Sequence, residues 1–171
     1  MESPKYDRIG RCGNDERHAI LTIINAAAEA YRGAIPADCW HDPYMSPEEI
    51  DEEIAAGVEF WGYRKDTVLL GVMGIQAVRD VDLIRHAYVV PGGQRKGIGA
   101  ALISHLRQLS ARRKLVGTWT AATWAIGFYQ KHGFHLLPVE QATSLLRSYW
   151  AINDRQVETS VVLADPPFGG M

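Results

Sequence analysis

At 171 residues, of which 47% are hydrophobic, the chain has material for one globular domain, 1–171, with a real core. A formal charge of -2 excludes the strongly basic footprint of a nucleic-acid or membrane binder and leaves a small ligand as the default partner. Cys12 and Cys39 are too few for a disulfide scaffold and lack CxxC spacing. With no apolar leader in "MESPKYDRIGRCG" and no run of about 18 apolar residues, a soluble, cytoplasmic chain with reduced thiols is expected.

In chain order, residues 6–11 read as a short strand. "GNDERHAILTIINAAAEAYRG" then sets Ile20, Ile24, Ala27 and Tyr31 on one helical stripe, with Asn14 as N-cap. After the aromatic-rich loop "GAIPADCWHDPYM", Ser46 as N-cap, Pro47 in the first turn and Glu49 closing a capping box open a second helix that ends at Gly57. "VEFWGYR", "TVLLGVMGIQAV" and "VDLIRHAYVV", parted by the charged turns "KD" and "RD", predict an antiparallel meander.

The stretch "VVPGGQRKGIGAALISHL" reads as strand, glycine loop and helix, with Ile98, Leu102, Leu106 and Leu109 facing the core. "KLVGTWTAA" reads as a buried strand, "TWAIGFYQKHG" as a short helix stopped by Gly133, and "FHLLPV" as a strand reached by a crossover and so paired in parallel. A helix at "EQATSLLRSYW", a last strand at "QVETSVVLAD" and a flexible tail at 166–171 complete the chain. The expected class is α/β (α+β), a mixed, mostly antiparallel central sheet flanked by helices.

Glycines between strand and helix let the backbone turn its N–H groups inward, and a helix N-terminus adds about half a positive charge, so the loop suits phosphates. Gln94, Arg95 and Lys96 reinforce that field. A Walker loop is excluded, because Lys96 precedes the glycine pair and no Ser or Thr follows it to hold magnesium. A dinucleotide fingerprint fits badly, since the third glycine is absent and the preceding strand belongs to a meander.

Gln94-Arg95-Lys96-Gly97-Ile98-Gly99 resembles the acetyl-CoA loop, [QR]-x-x-G-x-[GA], of the GNAT superfamily of N-acetyltransferases. "AYVVP" before it and "AIGFYQKHGF" after it strengthen the likeness, which runs from about Tyr6 to Asp165. The resemblance implies a sheet splayed between strands 4 and 5, with acetyl-CoA as co-substrate and an amine acceptor. Tyr88, Val89 and Val90 would then offer backbone partners to the pantetheine arm, residues 94–100 would cradle the pyrophosphate, and Ala125 and Phe128 would flank the cofactor. Phe128 and Tyr129 also read as an aromatic pair plugging helix to sheet. A main-chain N–H near Val89 would polarise the thioester carbonyl, and Tyr129 would be the general acid. Ala122 departs from the asparagine that many members place there.

The general base is harder to read. Strand alternation sets Leu83, Arg85, Ala87 and Val89 on one face and Asp82, Ile84, His86 and Tyr88 on the other, so Arg85 and His86 are expected to diverge. His86 is the candidate base, against a structural histidine; Arg85 is expected to bind an acidic group of the substrate. Trp40, His41 and Tyr44 either wall the acceptor pocket, with Asp42 drawing an ammonium, or form a flap packed on its own aromatics. His132 and His135 lack the further ligands a metal needs. Arg107, Arg112, Arg113 and Lys114 read as a solvated helix end, with attraction of CoA phosphates as the second option. A non-catalytic acyl-CoA sensor is the alternative function, and the sequence leaves a homodimer open.

Overall fold

The structure, a computed structural model, describes residues 7–93 and 96–168. β2 (Glu59–Lys65), β3 (Val68–Val78) and β4 (Val81–Val89) form the expected antiparallel meander, and β1 (Asp7–Arg11) adds to it antiparallel to β2. α1 (Arg17–Ala28) and α2 (Pro47–Ala55) lie between β1 and β2, and α3 (Ile98–Arg107) follows β4. β5 (Arg113–Trp119), α4 (Thr123–Lys131), β6 (His135–Leu136), α5 (Val139–Tyr149), α6 (Asp154–Glu158) and β7 (Ser160–Asp165) complete the order. The sheet runs β1-β2-β3-β4-β5-β7-β6, mixed by one parallel pair.

Several sequence expectations need correction. A 3-10 turn at Asn14–Glu16 precedes α1, so Gly13 and not Asn14 heads it, donating its N–H to Glu16 Oε1 at 3.1 Å. Ser46 does cap α2, accepting from the Glu49 N–H at 3.1 Å, but the Glu49 carboxylate lies 3.8 Å from His41 Nε2. The parallel partner of β5 is β4, joined through α3, and "FHLLPV" contributes only the two-residue β6, antiparallel to β7. β7 carries the longer apolar run and takes the place beside β5, which leaves His135 and Leu136 exposed at the sheet edge. The Gln156–Glu158 stretch is helical: Asn153 and Gln156 exchange side-chain hydrogen bonds with each other's N–H in a capping box that opens α6. Leu109 lies past α3 and is exposed, while Ile103 is fully buried.

Lys114, expected in a solvated patch, is 2% exposed. Its ammonium donates to the Ser110 and Arg112 carbonyls at 3.1 and 2.6 Å and sits 3.3 Å from Asp82 Oδ2, the pairing a buried charge requires. Asp82 and Lys114 are also register partners across β4 and β5, so the ion pair locks the paired end of those strands. Arg113 reaches the end of the chain, with Nε donating to Pro166 O at 2.9 Å and its guanidinium over the Phe168 ring.

One face of the sheet packs a single cluster against α3 and α4, including Ile84, Leu102, Leu106, Val116 and Phe134. The other face carries two separate clusters. Ile20, Ile24, Ile50 and Phe60 pack α1 and α2 on β2 and β3, whereas Leu83, Leu115, Leu146 and Val162 pack α5 on β4, β5 and β7. Among the described residues no helix is long and apolar enough to cross a membrane.

Candidate active site

The parallel pairing of β4 with β5 covers Val81 to Ile84 against Arg113 to Val116 and then stops, so the strands part toward their C-terminal ends. Two cavities meet in that gap. The larger, about 730 Å³, runs along the start of α3 past Ala125, Phe128 and Tyr129. The smaller, about 200 Å³, lies on the opposite side, between the two separate core clusters. Tyr31, Ala87, Tyr88 and Tyr129 line both.

At the large cavity, Gly97 holds a left-handed φ of 79° as N-cap of α3, which accounts for glycine there. No described side chain caps this helix, and its first intrahelical bond, Ala101 N–H to Gly97 O at 2.9 Å, leaves the N–H groups of Ile98, Gly99 and Ala100 in the donor-rich first turn. A Cβ added to Gly97 would meet nothing within 4 Å, so the turn is open to an approaching anion. Ile98 itself points into the core, Lys96 is exposed, and Gln94 and Arg95 lie outside the described residues. Phe128 serves both expected ends: it lines the cavity, yet its ring meets Tyr129 edge to face at 5.1 Å and sits 3.2 Å from where a Gly99 Cβ would stand.

The backbone expectations for β4 narrow. The Val90 N–H donates to Leu70 O at 2.9 Å and its carbonyl accepts from Gly93 N–H, so Val90 is engaged. Antiparallel alternation therefore turns the Tyr88 main-chain groups toward β3 and those of Val89 toward the parted side.

Strict alternation along β4 fails at His86, where a register shift and a φ of 54° mark a bulge. Ile84, Ala87 and Val89 consequently share the α3 face, while Arg85 and His86 both reach α2. They converge on Glu53, which sequence reasoning missed. Arg85 grips it in a fork, Nη1 to Oε2 at 3.0 Å and Nη2 to Oε1 at 3.1 Å, and donates from Nη1 to Gln76 Oε1 at 3.0 Å. His86 Nε2 lies 3.3 Å from Glu53 Oε2, and its ring stacks on Phe60. Burial alone pushes the Glu53 carboxyl up, but His86 and Arg85 outweigh it and hold the group below the ordinary range. Arg85, expected to bind an acidic group of the substrate, lines the small cavity with its guanidinium paired to a protein carboxylate.

Of the three aromatic-loop candidates, Tyr44 is the one that lines either of these two cavities. Trp40 and His41 stack on Tyr44 from outside, with ring centroids 5.3 and 6.4 Å away. Asp42 accepts from the Trp40 indole at 3.1 Å and lies 3.4 Å from Arg32, so it is part of the flap's own packing. Trp119, Trp150 and Tyr31 complete the small cavity; no spacing rule links these distant positions, and Tyr31 reads simply as the end of a helical stripe. Burial pushes the Tyr129 phenol well above its usual value, so it stays protonated at neutral pH, as a proton donor must.

A helix N-terminus built for phosphates, a gap between parted strands and a buried phenol at the junction with a second cavity define a thioester-carrier-dependent acyltransferase. The chain belongs to the GNAT acetyltransferases: the family model "Acetyltransferase (GNAT) domain" matches residues 23–146. It is therefore an N-acetyltransferase with acetyl-CoA as acyl donor. It is 27% identical over 124 residues to the peptidyl-lysine N-acetyltransferase YiaC of Escherichia coli, covering 64% of this chain and 82% of that one. Its fold is similar to the PaiA N-acetyltransferase of Thermoplasma acidophilum, solved with coenzyme A (TM-score 0.71, 14% identity, 93% and 98% of the two chains). It is also similar to a GNAT acetyltransferase of Elizabethkingia anophelis with acetyl-CoA bound (TM-score 0.59, 18% identity, 92% and 96%).

Proposed function

We propose that the acceptor is a primary amine on an unbranched alkyl stem, of the kind a lysine side chain presents on a peptide. The observation that carries this reading is the small cavity. It is narrow, walled by Tyr44, Trp119 and Trp150, and its arginine is already neutralised by Glu53. Aromatic walls suit methylenes, and among the described lining residues Arg85, already paired with Glu53, is the one arginine or lysine, which disfavours a carboxylate-bearing amine. The similarity to an Escherichia coli peptidyl-lysine N-acetyltransferase points the same way.

Acetyl-CoA supplies the activated acyl group. The first turn of α3, from Ile98 to Ala100, binds the diphosphate, while the re-phased Ala87–Val89 stretch guides the acyl end into the gap. Tyr129 donates its phenolic proton to the departing sulfur as the carbon–sulfur bond breaks and the carbon–nitrogen bond forms. His86, whose Nε2 lies 3.3 Å from Glu53 Oε2, serves as the acceptor for the amine proton. Thiol release from acetyl-CoA, followed with lysine peptides, N-terminal peptides, amino acids blocked at the side chain and small neutral amines, tests the reading. Lysine peptides and simple alkylamines should turn over best; a preference for carboxylate-bearing amines refutes it.

A further inference from the structure

We infer that Tyr31 is the acyl-selecting residue, a ring that admits an acetyl group and obstructs longer acyl chains. This rests on the transfer point proposed above. Tyr31 ends the 3-10 turn Glu29–Tyr31 that follows α1, and it lines both cavities at their junction. Its ring meets Tyr88 edge-on at 5.8 Å and Trp124 of α4 at 5.2 Å. The ring is thus fixed from two sides, by the strand that guides the acyl arm and by the helix that carries Tyr129. Tyr129 is buried, Tyr88 is half-buried on β4 and Ala87 is held by the bulge, which leaves Tyr31 as the wall carried by a turn and not by a core element. An acyl group longer than acetyl has to displace that ring or enter the acceptor cavity. A single methylene more or less in such a pocket changes affinity about 10- to 200-fold.

The test is equilibrium binding by calorimetry of free CoA, acetyl-CoA, propionyl-CoA and butyryl-CoA to the full chain. In the unsubstituted protein, butyryl-CoA should bind at least tenfold more weakly than acetyl-CoA. Tyr31→Ala should bring butyryl-CoA to within a few-fold of acetyl-CoA while leaving free CoA unchanged, and Tyr31→Phe, which keeps the ring, should retain the discrimination. Tyr31→Leu, a smaller change of volume, serves should the alanine variant fail to fold, and should relax the ratio in the same direction. Equal affinity across chain lengths in the unsubstituted protein overturns the inference, as does an unchanged ratio in Tyr31→Ala or Tyr31→Leu, or an equal loss for every ligand including free CoA. Failure of all four ligands to bind is a different result, because it refutes the donor site itself.

Discussion

Glu53→Gln isolates the charge at the convergence of α2 and the β4 bulge while keeping the side chain's shape. Removing one partner of a fully buried ion pair costs about 3–5 kcal/mol, because the other charge is stranded. Here Arg85 and Glu53 are each 22% exposed and His86 is 16% exposed, and Gln76 still accepts from Arg85. Partial screening and that remaining bond bring the expected loss down to about 2 kcal/mol. At this chain length such a loss lowers Tm by roughly 4–8 °C and the urea midpoint by about 1 M. The sign with pH follows from the depressed folded-state pKa of Glu53. Its contribution is fully present above the unfolded carboxylate range and is lost as pH falls through that range toward the folded value. Urea unfolding of both proteins at neutral pH and at the lowest pH where both stay folded should show the gap closing in acid. A gap of equal size at the two pH values means that packing, and not charge, holds α2 to the bulge.

Tyr129→Phe should lower kcat about 10²-fold or more with acetyl-CoA affinity unchanged, read by steady-state kinetics beside calorimetry; unchanged turnover removes the phenol from the reaction. His86→Asn, whose amide tolerates the left-handed backbone, should cut turnover about 10²-fold in steady-state kinetics with acetyl-CoA affinity unchanged. Gly97→Ala forces a Cβ into φ 79° at a strain of about 1–2 kcal/mol, so CoA affinity should fall at least tenfold in a titration while circular dichroism stays native. Lys114→Met removes one partner of the buried Asp82 carboxylate, which keeps Arg112 at 3.4 Å and the Ser110 hydroxyl at 2.6 Å, and should cost about 2 kcal/mol in denaturant unfolding.

The elements that position the donor site were legible because their signals are local. The meander, the glycine turn and the Gly133 stop each depend on a few consecutive residues whose backbone demands are visible in their identities. Alternation along β4 misled because one residue in the left-handed region re-phases everything after it, and histidine does not announce that conformation as glycine would. Glu53 was hidden among the like charges of "EEIDEE", where only a partner 32 residues away distinguishes it from its solvated neighbours. Trp119 and Trp150 come together only because β7, and not β6, docks beside β5, a choice of neighbour that no single run of sequence specifies.

Because the acceptor side of the sheet is filled by two independent apolar blocks, one under α1 and α2 and the other under α5, the slot between them is a seam. Its floor is the Ile84–Val116 pair, the last register partners before β4 and β5 part. Asp38 on one rim and Arg155 on the other, 2.9 Å apart, fasten it from outside. A chain built this way can exchange acceptors over evolutionary time by re-cutting the rims, while the donor half stays untouched.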